Sequence, residues 1–378
     1  MTLVPFAPEY RRSRPRRGRY IYVYIWPSSL RRQADIESAA LSAKFTGRDG
    51  FWYRPSYGFV APVATMPVKV VVALTDPEWF QHLQGKPELS EVNFWAPSGR
   101  SFRALTTGEV FLFRLHAPYR VIVGGGVFVH ADALPCSLAW EAFGEANGAA
   151  TLAQMRARIA RHRKVAPDER TDFIIGCRIL TQPFFLPANE WFEPPNWPPH
   201  FQGFKTYSTD DSDGLMLWES AHPHVHLGAA YRGSPKHGGA SDVLPSRWGE
   251  PTLIRPRLGQ GAFRIIVTDN YARRCAVTGE RTLPALDAAH IRPYADHGEH
   301  ESSNGLLLRR DIHSLFDRGY VTVTPARHFE VSRRIRDEFE NGRDYYAMHG
   351  TAIRVPDRSE LQPDPDALTW HNENRFLG

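Results

Sequence analysis

The sequence holds no run of about eighteen apolar residues, so no part of it reads as a membrane-spanning helix. Its first twenty residues lack the apolar stretch of a secretory signal. Cysteine is scarce: Cys136, Cys177 and Cys275 are odd in number and widely spaced. That excludes a disulfide framework, and the lack of a Cys-x-x-Cys pair argues against a structural zinc knuckle. A reducing cytoplasm is the expected compartment. Neither a membrane nor an organic cofactor is expected as a partner.

Acidic residues are outnumbered, 41 against 46 basic ones, giving a formal net charge of +5 and a pI near 9.1. Arginine is strongly preferred to lysine, and its planar fork suits phosphate and guanine edges. A polyanionic partner fits, although a merely basic globular protein would show the same charge. With 378 residues, 42% hydrophobic and 12% aromatic, the chain is a globular protein of two or three domains.

Residues 1–65 read as a basic extension. Arg11 to Arg19 carries six arginines and no acid, so it repels itself and stays disordered alone. Met66 stands just before a clear strand, and an upstream extension of the reading frame is the other reading of 1–65. From Val68 the chain reads as a mixed domain to about residue 205. Strands are expected at Val68–Leu74, Glu109–Leu115, Tyr119–Val123, Val127–Val129 and Phe173–Leu180, and helices from Ser137 and over Leu152–Arg163. Thr75 or Asp76 should cap a helix beginning at Pro77. Residues 206–255 are rich in Ser, Asp, Gly and Pro and read as a linker with one short helix near Leu215–Ala221. A last unit occupies 256–378.

That unit contains two short apolar strands separated by a polar loop and followed by a helix. His290 closes the first strand and Asn304-Gly305 ends the loop. The second strand is Leu306-Leu307-Leu308, and the helix runs from Arg310 to Phe316. His313 and Asp317 are four apart, hence on one helix face, which suits two ligands of one ion. Asn304 stands fourteen positions after His290, and His313 nine positions after Asn304. In these places and spacings the segment resembles the HNH endonucleases of the ββα-metal fold.

The resemblance implies that His290 is the general base that activates water, that Asn304 braces the loop, and that His313 binds a divalent metal, Mg²⁺ or Mn²⁺. A neutral imidazole is needed because bare water is a poor nucleophile at pH 7. A cation is needed because charge builds on the phosphodiester oxygens. Many relatives carry Asp or His directly before the first His, where this chain has Ala289. Asp287 shares that residue's strand face and is the expected replacement ligand, with Asp317 as the second candidate. Arg292, Arg309, Arg310 and Arg318 suit phosphate contacts. His297 and His300 read as loop residues, and Cys275 as core.

In the first domain, Asn93-Phe94-Trp95, Gly108 to Phe113, Ile122 to Gly126 and Ala139 to Gly144 resemble the PUA-like superfamily, which includes EVE and ASCH domains. The resemblance implies a small β-barrel that binds nucleic acid and, in several members, accepts a flipped modified base. Trp79, Asn93, Trp95 and Trp140 are the pocket candidates, with Asn93 and Trp95 pairing an amide with a stacking surface. Packing in the barrel core is the ordinary alternative for each aromatic.

The expected architecture is α+β: a PUA-like barrel followed by an HNH module. The whole span from 66 onward resembles bacterial predicted restriction endonucleases of that composition. The expected function is a metal-dependent DNA endonuclease of restriction type, selective for modified bases in one version. A non-catalytic reader of modified DNA or RNA and an RNA-processing nuclease are the alternatives. Cutting both strands calls for a homodimer or for sequential nicking.

Overall fold

The computed structural model describes residues 67–86, 88–166, 168, 170–230, 251–293 and 301–378. The basic extension 1–65, Met66, residues 231–250 of the expected linker, and the loop histidines His297 and His300 lie outside them.

Six strands form one sheet: β1 (Lys69–Thr75), β2 (Glu91–Asn93), β3 (Val110–Leu115), β4 (Ile122–Pro135), β5 (Ile174–Phe185) and β6 (Phe204–Ser208). Their order is β2-β5-β4-β3-β1-β6. β1 runs parallel to β3 and antiparallel to β6. The unbroken apolar runs of β1 and β3 reflect cover on both faces of the sheet. On one face pack α1 (Pro77–Gln84), α2 (Cys136–Phe143) and α3 (Leu152–Arg163), through Trp79, Phe80, Ala139, Met155 and Ile159. On the other packs α4 (Ser212–Ala230), through Leu217, Trp218, Ala221 and Val225. Asp76 is the cap of α1 and accepts the Glu78 N–H at 2.8 Å. The glycine run lets β4 lie against β3: a Cβ on Gly125 would sit 2.6 Å from the Phe111 carbonyl oxygen.

Two expectations need correction. The α+β class holds, but among the described residues the sheet does not close into a barrel, since no ladder joins its edge strands β2 and β6. With helices on both faces the sheet buries its two sides without closure. The described part of the expected linker is also not a linker. It continues β6 and then forms the nineteen-residue α4. The helix expected near Leu215–Ala221 lies inside it, and the polar stretch before it, Gly214 and Pro223 disguise its full length. Burial of Leu217 and Trp218 on the sheet outweighs those local preferences.

The second lobe contains α5 (Gln260–Asn270), β7 (Leu286–His290), β8 (Gly305–Arg309), α6 (Arg310–Asp317), the hairpin β9 (Val321–Val323) and β10 (Phe329–Val331), and a C-terminal helix, α7 (Pro365–Asn374). Its core includes Leu286, Ala289, Leu306, Leu308, Ile312, Phe316 and Leu368, and Cys275 is fully buried within it. Helix α5 belongs to both lobes. Ala262 and Ile265 enter the first core, while Phe263 and Val267 enter the second. The buried carboxylate of Glu91 on β2 accepts the N–H groups of Gly261 (2.7 Å) and Ala262 (2.9 Å) at the start of α5. Burial pushes that carboxyl group's pKa up, and the N–H groups pull it partly back. Arg273 donates to Asp132 at 2.7 and 2.8 Å, and His130 lies 3.3 Å from Asp269. No helix among the described residues is long and apolar enough to cross a membrane.

Candidate active site

β7 and β8 form an antiparallel pair that places His290 opposite Gly305 and Asp287 opposite Leu308. Helix α6 follows β8 directly, so the strand ends and the first helical turns converge. Gly305 is required by the crossing of α5, since a Cβ there would come within 2.5 Å of Val267. The same crossing puts the Phe263 ring against His290, with centroids 3.8 Å apart and planes at 9°. The stack sets the plane of the imidazole.

Asn304 is buried behind this hairpin. Its Oδ1 accepts the Arg292 N–H at 2.9 Å and its Nδ2 donates to the Arg292 carbonyl at 2.9 Å. Its own carbonyl accepts the Ile291 N–H at 2.9 Å. The amide therefore ties down the chain that leaves His290.

His313 projects from α6 between two carboxylates. Its Nδ1 lies 3.4 Å from Asp287 Oδ2 and its Nε2 lies 3.3 Å from Asp317 Oδ2. Burial alone would lower the imidazole pKa. The hydrogen bonds and charges of Asp287 and Asp317 outweigh it and push the pKa up to about 9. Burial would raise the Asp287 pKa, but His313, Arg264 and Arg310 hold it below the usual carboxylate value.

Asp287, His290, His313 and Asp317 line one cleft of about 580 Å³. Two carboxylates and an imidazole are suitable donors for Mg²⁺ or Mn²⁺. Among the described residues, no three acidic, histidine or cysteine side chains are grouped as a metal cage. The reason is visible in the distances: each carboxylate meets a different nitrogen of His313, so the imidazole fills the space between them. The donor chemistry fits a divalent cation, and His313 would have to lose its extra proton to bind one.

The four arginines of the segment differ in placement. Arg310 donates to Glu141 of α2 at 3.1 Å. Arg309 is held by Asp311 at 2.7 and 2.8 Å. The Arg292 guanidinium stands 5.3 Å from the Trp370 ring centre, and Arg318 bonds the Ser314 carbonyl at 3.0 Å. The cleft also includes residues that the sequence reading did not single out. Arg264 on α5 donates to Glu141 at 2.7 Å, and its Nε lies 3.5 Å from Asp287. Glu141 belongs to the first lobe, so local pattern could not connect it with the nuclease segment. Phe263 and Arg264 could have been found by reading 260–270 as an amphipathic helix.

In the first lobe the pocket candidates separate. Trp79 and Trp95 line a cavity of about 180 Å³ with Phe94, Phe111 and Phe204. Trp95 Nε1 donates to the Asn147 carbonyl at 2.9 Å. Asn93 does not match its expected role at a nucleic-acid surface. It is fully buried, and its Nδ2 donates to Asn147 Oδ1 at 2.9 Å and to Cys177 Sγ at 3.3 Å. On β2 its side chain points into the core. Trp140 packs, half-buried, against that same core.

A family model described as HNH endonuclease matches residues 275–324. No curated protein matches the chain. Among solved structures, the ASCH protein from Zymomonas mobilis is 10% identical, covering 39% of this chain and 94% of its own, with a TM-score of 0.25. A structure described as the modification-dependent TagI restriction endonuclease is 14% identical, covering 81% of each chain, with a TM-score of 0.28. The family match falls on the hairpin and helix that carry His290, Asn304 and His313. The chain therefore carries an HNH endonuclease domain, a phosphodiester hydrolase whose family implies a divalent metal ion and DNA as the substrate.

Proposed function

We propose that this protein is a metal-dependent DNA endonuclease of restriction type, in which the HNH cleft cuts and the first lobe selects DNA by a modified base. The observation that carries the reading is the convergence of His290, held flat on Phe263, with Asp287, His313 and Asp317 on a single cleft. His290 takes the proton of the attacking water. Asn304 holds the loop so that the imidazole keeps its place. Asp287, His313 and Asp317 would hold a divalent ion, which would supply positive charge to neutralise that building on the phosphodiester oxygens. Arg264 and Arg310, gathered by Glu141, are the cations that would meet a DNA phosphate. Selection by a base is supported by the aromatic cavity around Trp79 and Trp95. A flipped base costs a few kcal/mol, and stacking returns about 1–3 kcal/mol.

The test is cleavage of plasmid DNA and of RNA by the full chain and by His290→Ala, with Mn²⁺ or with EDTA. The wild type should nick DNA only with the metal. His290→Ala should lose about 10²–10⁴-fold in rate while still binding DNA. Retained cleavage in the variant would remove His290 from its role. Preferential cutting of RNA would replace the substrate.

A further inference from the structure

Arg114 is a buried cation that, among the described residues, pairs with no carboxylate at salt-bridge distance, Glu193 acting on it only from farther off. It is only 7% exposed, and among the described residues its buried Nε has no hydrogen-bond partner. Its guanidinium carbon lies 4.5 Å from the centre of the Trp197 ring, which stacks over it but neutralises nothing. Burial and the nearby Arg120 both work against its charge, and Glu193 and Tyr207 offset this in part. A cation so little exposed, with its Nε unsatisfied, favours an anion that can reach it.

The site lies at the C-terminal ends of the parallel strands β1 and β3, where Leu74 is in register with Arg114. There Arg114, Arg120, His116 and His200 line a cavity of about 540 Å³, with Glu193 the one carboxylate among its lining side chains. It adjoins the aromatic cavity: Leu74 and His116 line both. An apolar aromatic compartment joined to a cationic one matches a nucleotide, which has a flat base and a charged phosphate a few ångströms away.

We propose that Arg114, with Arg120 beside it, is a phosphate site that takes a backbone phosphodiester of the DNA whose base enters the adjoining aromatic cavity. The assignment rests on the reading of the first lobe as the part that selects DNA. The buried fork of Arg114 supplies geometry, and the exposed Arg120 supplies charge at the mouth. This site anchors the backbone, and the cavity around Trp95 tests the base.

The experiment is binding of the full chain, in EDTA, to a short duplex with a central mismatched cytosine, whose base leaves the stack at low cost. Anisotropy is followed over about 50–200 mM salt. Arg114→Gln should weaken binding about tenfold and flatten the slope of log K against log[salt] by about one, the signature of one lost phosphate contact. Arg120→Gln should shift both in the same direction by less. Arg114→Lys should keep the wild-type slope. Trp95→Ala should weaken binding with the slope unchanged. If Arg114→Gln does not fold, Arg120→Gln and Arg114→Lys decide: a wild-type slope in the first, or a lost contact in the second, overturns the site. Wild-type slopes in both glutamine variants, with unchanged melting temperatures, overturn it as well. A wild-type chain that binds no DNA would remove the functional reading together with this site. Wild-type binding with unaltered slopes would remove this site alone.

Discussion

The two lobes carry their chemistry in opposite ways. In the nuclease lobe the candidate groups are polar, partly exposed and close in sequence: Asp287, His290, His313 and Asp317 span a single hairpin and helix. In the first lobe the candidate surface is an aromatic cavity drawn from distant elements, with Trp79 of α1, Trp95, Phe111 and Phe204 brought together only by the tertiary fold. A cleavage centre needs a few ionisable groups at short range, which contiguous chain can supply. A pocket for a flat ring needs walls on several sides, which takes several elements. The difference teaches that the lobes should fail differently when altered.

The largest effect should come from the acid-imidazole cluster. Asp287→Asn or His313→Ala should raise the Mn²⁺ needed for half-maximal cleavage by about tenfold to a hundredfold, with DNA binding in EDTA kept. A titration that matches the wild type would take that residue out of the metal's shell. Next comes the joint between the lobes. Glu91→Ala strands two buried N–H groups at the start of α5 and should cost about 3 kcal/mol in urea unfolding. It should also slow cleavage, because α5 carries Phe263 and Arg264. Full activity at reduced stability would show that the site does not depend on this joint.

Trp95→Ala should sharpen the contrast most directly. It should lower cleavage of the preferred modified DNA about tenfold and leave slow Mn²⁺-driven nicking of ordinary DNA unchanged. Equal slowing on both substrates would make Trp95 a packing residue. The smallest effect concerns His371 on α7, stacked on Phe316 with centroids 3.7 Å apart and bonded to Thr322 at 2.8 Å. Burial pushes its pKa down to about 4. The unfolded chain then binds more protons than the folded one between about pH 6.5 and 4. The contribution is therefore fully present above the unfolded pKa and is lost as pH falls through that window. The melting temperature should drop by a few degrees over it, and His371→Gln should flatten the drop.

Much of the nuclease lobe was legible because its two strands are antiparallel neighbours joined by one loop. The apolar run Leu306–Leu308 and the four-residue spacing of His313 and Asp317 mark the second strand and one helix face from local pattern alone. The first lobe was less legible. The apolar run of β1 announces a buried strand but does not name its neighbours, and the parallel pairing with β3 lies some forty residues away. The polar texture after Tyr207 hid the length of α4, of which only Leu215–Ala221 was expected, because the burial of Trp218 that stabilises the helix depends on a sheet face formed elsewhere.

The sequence by itself determined that a ββα segment with His290, Asn304 and His313 in order would form, since contiguous residues of the right period have few other ways to bury Leu306 to Leu308. Only the tertiary structure decided what surrounds it. Glu141 reaches Arg264 and Arg310, Phe263 lies under His290, and Glu91 caps the helix that carries both Phe263 and Arg264. These contacts join positions up to 171 residues apart. They arise from packing two cores against one shared helix, an arrangement that depends on the shape and charge of both lobes at once and leaves no periodic trace along the chain.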